Sequence, residues 1–161
     1  MQIERWADQI MRQIDQAGML YHQLILVVAP SGMGKTRVLQ EVAKRTGFRS
    51  INVNLELSRR LLDLTERQRV LQVSRALSDI VGKDDAQAVL LDNTEVLFAV
   101  SLKQDPLRCL QGLSRQRTVV AAWNGTIEQG YLIYAMPDHP EYRRYPAGDL
   151  LVVSPPAPAE R

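Results

Sequence analysis

The sequence predicts an α/β domain built on a mainly parallel sheet of about five strands with flanking helices. Three observations carry this. The apolar run 24–28 (LILVV) leads straight into a glycine loop, 29–36 (APSGMGKT), and then into a helix-like stretch, 37–45. A second apolar run, 88–91, ends in Asp92, and a third, 118–123, ends in Asn124-Gly125. Continuous apolar runs of this length read as strands buried on both faces, and the helical periodicity between them supplies the crossovers that parallel strands require.

The order strand, glycine loop, helix is that of a phosphate cradle. Gly32 and Gly34 let the backbone wrap a phosphate chain with its N–H groups, and the helix that follows aims its positive end at the same anions. Lys35 is placed to reach β- and γ-phosphates and the Thr36 hydroxyl to ligate Mg²⁺. Ser31, Gly32, Met33, Gly34, Lys35, Thr36 and Arg37 are the expected nucleotide-binding residues. Ala29 stands where the usual pattern has glycine, a small-for-small exchange. The expected fold is therefore a P-loop NTPase sandwich.

At 161 residues the chain fits one domain, expected over 1–153, and folding should bury roughly 70% of the unfolded surface. A net charge of +2 is too small to argue for nucleic-acid binding without a local patch. The single cysteine, Cys109, allows no intramolecular disulfide and reads as a structural thiol in an apolar helix. No signal-type apolar region opens the sequence, and no apolar run approaches the roughly 20 residues of a membrane span, so a cytoplasmic protein without a membrane partner is expected.

In chain order, Ile3, Trp6, Ala7, Ile10, Ile14 and Ala17 form one apolar stripe of an amphipathic helix over 1–18, ended by Gly18. That stripe packs on the sheet or, alternatively, docks a partner through Trp6. His22 and His139 are isolated; His22 reads as a structural residue and His139, between two prolines, as a loop residue. After the loop, Val38, Leu39, Val42 and Ala43 give the helix a buried side, and Gly47 suits its C-terminal cap. Residues 50–56 (SINVNLE) alternate polar and apolar, which predicts strand two. A short helix through Leu57, Leu61 and Leu62 follows, then a longer one whose Thr65 and Gln68 form a capping box and whose core stripe is Val70, Val73, Leu77 and Ile80. Arg59, Arg60, Arg67, Arg69 and Arg75 read as a solvated face, with a phosphate or acidic-partner surface as the sharper alternative.

Asp92, at the end of a buried strand downstream of the loop, has the Walker B arrangement and is the second expected Mg²⁺ ligand with Thr36. A hydrolase also needs a group that orients or deprotonates water. Glu95 is the candidate if it turns inward, with Glu56 as its rival. Residues 105–116 predict a helix with Pro106 in its first turn. Asn124 ends the next strand where a γ-phosphate or water sensor would sit, though Asn-Gly also makes a turn. Beyond residue 126 the pattern becomes a hairpin-like extension: a turn at 128–130, a strand at 131–134, a loop, a short helix over 141–145, and a last strand at 149–153. The tail 154–161 is rich in Pro and Ala and is expected to be disordered.

The segments LILVVAPSGMGKT, NVNLELSRRLL, VLLDNTEVLF, KQDPLRCLQGLSRQRTVVAAWNG and HPEYRRY resemble the BrxF family of small P-loop proteins encoded in type 3 BREX phage-defence systems, over about residues 20–145. The resemblance implies a bacterial cytoplasmic ATP-binding component of a multi-protein system that modifies host DNA and restricts phage. By matching positions, Lys35 and Thr36 carry over as nucleotide ligands and Asp92 as the Walker B carboxylate.

The expected activity is Mg²⁺-dependent ATP hydrolysis, with Lys35 on the phosphates, Thr36 and Asp92 on the metal, and Glu95 and Asn124 around water. The alternatives are a nucleotide-gated assembly module with little turnover and a small-molecule kinase. A kinase should carry an acidic substrate pair after strand two, and Asn52-Val-Asn54 lacks one. No arginine in the loop's own flanks is evidently placed to neutralise the leaving phosphates, so Arg143 and Arg144 are the candidate arginine fingers, acting in an oligomer or in a complex with another ATPase. Arg115 and Arg117 are held in reserve, and simple surface pairing of Arg143 and Arg144 is the plain alternative. The expected partners are ATP and other defence-system proteins, with DNA bound at most weakly by the isolated chain.

Overall fold

Six consecutive buried residues, Leu24–Ala29, make the inner strand β1 around which the molecule is layered. The computed structural model describes residues 2–82 and 84–156. Its helix α1 (Gln2–Ala17) precedes β1, and α2 (Lys35–Thr46), β2 (Ser50–Asn52), α3 (Val53–Leu61), α4 (Glu66–Val81) and β3 (Ala88–Asp92) follow. Two 3₁₀ turns, Thr94–Phe98 and Val100–Leu102, lead to α5 (Pro106–Leu113) and β4 (Thr118–Asn124). Three short strands, β5 (Thr126–Glu128), β6 (Tyr131–Tyr134) and β7 (Arg143–Pro146), come before the last, β8 (Leu151–Val153).

The main sheet has the order β2-β3-β4-β1-β8, and every pairing in it is parallel. Residues alternate along β1 between two cores. Ile25, Val27 and Ala29 face α1 and α2, whereas Leu24, Leu26 and Val28 face the side of α3, α4 and α5. The chain leaves β1 in one direction across α2 and returns across the other face, the winding that opens a crevice at the strands' carboxyl ends. The extension is a separate antiparallel sheet, β5-β6-β7, packed on the α3–α5 side.

Local chemistry explains most boundaries. Trp6, Ala7, Ile10, Ile14 and Ala17 of α1 are all buried against β1, β8 and α2, so the stripe faces its own core and Trp6 is no partner anchor. Each large side chain so buried contributes roughly 1.5–3 kcal/mol. Gly47 ends α2 in the left-handed region, φ +79°, its N–H donating to Ala43 O. Thr65 and Gln68 form the capping box in both directions. Asp105 caps α5, whose first residue is Pro106.

Two expected boundaries are corrected. The strand expected over 50–56 stops at Asn52, because the Asn52 side chain accepts from Leu55 N at 3.0 Å and starts a helix. Val53, Leu57 and Leu61 are that helix's buried stripe, and Leu55, which suggested strand alternation, is 45% exposed. The short helix expected over 141–145 is instead the strand β7, paired with β6. Five residues ending just before Pro146 are too few for a stable helix, and proline disfavours helical backbone in the residue before it.

Much of the arginine content is structural. Arg69 donates to the carbonyls of Leu61, Leu62 and Leu64 at the end of α3. Arg117 bonds Asp84 and the Gly82 carbonyl, and Arg45 bonds Asp8 and Glu41. Among the described residues no helix is long and apolar enough to cross a membrane. Of the expected disordered tail, 154–156 has no regular structure and 157–161 lies outside the described residues.

Candidate functional site

The carboxyl ends of β1, β3 and β4 meet at one place, and the chemistry-bearing residues meet there too. The loop after β1 turns through Gly32 (φ +82°) and Gly34 (φ +97°), backbone states that side chains resist. Gly34 is also the cap of α2 and has no side chain to occupy the helix's first N–H groups, which leaves them for an anion. From behind, α1 supports the loop: a Cβ on Gly34 would lie 3.4 Å from Ile3 Cδ1 and 4.0 Å from the Trp6 ring.

Lys35 is 6% exposed, and its ammonium donates to Ala29 O (2.7 Å) and Pro30 O (2.9 Å), folded against the loop's own backbone. Burial lowers its pKa from the ordinary lysine value, and the charges of Glu95 and Asp92 oppose that shift. Thr36 Oγ1 donates to Asp92 Oδ2 at 2.6 Å, across 56 residues of sequence. The other oxygen, Asp92 Oδ1, accepts from Asn93 N at 2.9 Å, so the carboxylate is held at both ends. Asn93 itself is in the left-handed region, φ +53°.

Glu95, in the first 3₁₀ turn, points inward: Asn124 Nδ2 donates to its Oε1 at 2.5 Å. Thr94 beside it anchors the turn by donating to the Ala122 carbonyl. Glu56 does not join this group. It sits in the first turn of α3, 3.3 Å from Arg59, and lines a different hollow with Arg49 and Asn52. Ser31, Met33, Thr36 and Arg37 are exposed, and of these Thr36 is bonded to Asp92.

The two candidate finger arginines point elsewhere in this chain. Arg143 Nη2 donates to Gln104 O at 2.9 Å, and Arg144 lies over the Tyr131 ring with its Cζ 3.6 Å from the centroid. They alternate across β7, so one faces the domain and the other solvent. Of the reserve pair, Arg117 is buried on Asp84 and Arg115 donates to the Tyr21 hydroxyl near the amino end of β1. A groove of about 430 Å³ between α3 and α4 carries Arg60 and Arg75 but no residue of the glycine loop.

Sequence reasoning missed one wall of the site. A crevice of about 310 Å³ opens beside the loop, with Pro30, Ser31 and Asn124 on one side and Tyr134, His139 and Glu141 of the extension on the other. The extension is fastened there by an aromatic cluster: Tyr134 stacks on Phe98 (3.5 Å between centroids), Phe98 meets Trp123 edge-on, and Trp123 Nε1 donates to Ile133 O at 3.2 Å. The strand β4 thus carries both Asn124 and the tryptophan that seats the opposite wall. No single-residue motif marks His139; only the seating of β6 against the end of β4 brings it over the loop. Comparison with protein-family models, with curated proteins and with solved structures gave no match.

Proposed function

We propose that this chain is a P-loop NTPase that binds ATP with Mg²⁺ and hydrolyses its β,γ bond, acting as the nucleotide-binding component of a bacterial BREX phage-defence system. The observation that carries the reading is the 2.6 Å bond between Thr36 and Asp92, which brings a hydroxyl and a carboxylate from separate segments to the mouth of the glycine loop. Two hard oxygen donors are what Mg²⁺ takes from a protein when phosphates and water fill its remaining positions. Among the described residues no group of three or more His, Cys, Asp or Glu side chains would hold a cation without such help. Bound there, the ion would offset charge on the phosphates.

The chain's own residues divide the remaining work. Lys35 exchanges the carbonyls of Ala29 and Pro30 for phosphate oxygens, and the amides of the loop and the first turn of α2 take the others. Glu95 accepts a proton from the attacking water, and Asn124, already its partner, orients it. The defence-system assignment rests on the resemblance to BrxF in the segments quoted above, as do its cytoplasmic location and its partners.

A second reading, ATP binding with little turnover by the lone chain, is favoured by one observation: among the described residues, no arginine lines the crevice. Assembly with another copy or another ATPase then completes the site, with Arg144 the more accessible donor because it is exposed and lies over the Tyr131 face. Phosphate release by the purified chain, alone and with its system's proteins, separates the two. Turnover per chain that rises with protein concentration supports assembly. Failure of the chain to bind ATP with Mg²⁺ at all overturns both readings.

A further inference from the structure

We propose that His139 is the side chain through which this site distinguishes a nucleoside triphosphate from a diphosphate, an inference that rests on the nucleotide reading above. His139 lines the crevice across from Ser31 and from Asn124, the residue that donates to Glu95. The loop that carries it is built rather than loose. Ala135 turns the chain through the left-handed region (φ +65°), His139 N donates to Met136 O at 2.8 Å, and Tyr142 N donates to His139 O at 3.0 Å.

A third bond sets the imidazole's chemistry. Glu141 N donates to His139 Nδ1 at 3.0 Å. A nitrogen that accepts an N–H carries no proton of its own, so the neutral ring keeps its proton on Nε2, which becomes a donor. The backbone of residue 141 therefore holds the ring in a state able to give a hydrogen bond to an anion. Glu141 also lines the crevice, but its carboxylate repels phosphate, and Tyr134 is stacked on Phe98 in the cluster that seats the extension, so the histidine is the donor assigned to this wall. On the nucleotide reading the loop's amides take the α- and β-phosphates, which leaves the added terminal phosphate as the group to approach this wall.

The test separates a donor from a loop brace. In His139→Asn the shorter side chain still offers an oxygen to the N–H two residues on, the Asx-turn geometry, but has nothing to extend toward the crevice. His139→Gln keeps a longer amide donor. Dissociation constants of ADP and of a non-hydrolysable ATP analogue, both with Mg²⁺, are measured on the full chain. His139→Asn should weaken the analogue about tenfold to a hundredfold, the worth of one hydrogen bond to a charged group, and leave ADP unchanged. His139→Gln should recover part of that loss. A wild-type ratio in His139→Asn, or equal weakening of both ligands, overturns the inference while leaving nucleotide binding intact. A wild-type chain that binds neither ligand overturns the nucleotide reading and this inference with it.

Discussion

Replacing Gly125 with alanine tests how the extension is seated on the site. Gly125 is not in the left-handed region, so an alanine there carries no backbone strain of its own. The new Cβ would lie 1.9 Å from the Ile133 carbonyl oxygen and 3.0 Å from Trp123 Nε1. The first of these is backbone, so β6 must move, and the Trp123–Ile133 hydrogen bond lies in its path. Leaving the buried indole N–H without a partner costs about 1–3 kcal/mol. Shifting packed backbone costs about 1–3 kcal/mol more. For a chain of this size, where 1 kcal/mol moves Tm by about 2–4 °C, the total of about 2–6 kcal/mol lowers Tm by at least about 4 °C. The assay is thermal unfolding followed by circular dichroism. Gly148→Ala is the control, since a Cβ there meets nothing within 4 Å and its backbone is ordinary. That change should be neutral or stabilise by up to about 1 kcal/mol. A Gly125→Ala protein melting within about 2 °C of wild type would refute the reasoning.

Three further outcomes follow from the site and the core. Lys35→Ala should weaken ATP binding about tenfold to a hundredfold by calorimetry, and unchanged affinity would sink the P-loop assignment. Glu95→Gln should bind ATP as wild type does while losing about 10²- to 10⁴-fold in phosphate release; undiminished turnover would remove Glu95 from water activation. Burial, with a smaller push from Asp105, raises the Cys109 pKa from 9.0 to about 11, so at pH 8 the folded protein holds about a hundredfold less thiolate than the unfolded chain. Alkylation by iodoacetamide should be slower in the native state by about tenfold or more, since the higher-pKa thiolate is scarcer but somewhat more nucleophilic, and equal rates in buffer and urea would contradict it. The sign for stability is the same. The fold keeps the proton, so this thiol's contribution is complete below about pH 9 and is lost as the pH rises from there toward 11.

Residues whose partners are close in sequence, or whose burial is complete, are legible from the amino-acid order alone. The capping box at Thr65, the cap at Gly47 and Pro106 in the first turn of α5 are local devices, and β1, β3 and β4 announce themselves because both of their faces are buried. The failures have physical causes. At 50–56 a strand's alternation and a helix's stripe share Val53, and the deciding fact is the Asn52 side chain capping Leu55. At 141–145 the deciding fact is pairing with β6, which is non-local. Within the site, the glycine loop and Asp92 are legible because spacing encodes them. The inward turn of Glu95 depends on meeting Asn124, 29 residues away, and the crevice wall depends on an aromatic cluster drawn from three segments.

The position of β1 in the sheet has a consequence for how the protein emerges from a ribosome. The strand is made early, yet both of its neighbours are made late: Leu24 pairs with Val119, and Ile25 with Leu151. At about 5–20 residues per second, the first of those partners appears roughly 5–20 s after β1. For that interval an apolar six-residue strand keeps two open edges and has helices alone to cover its faces, α1 and α2 first on one and α3 to α5 later on the side of the other. The helices that flank it in sequence are thus its first shelter during synthesis, and the glycine loop takes shape on that provisional helical support before the sheet closes around it.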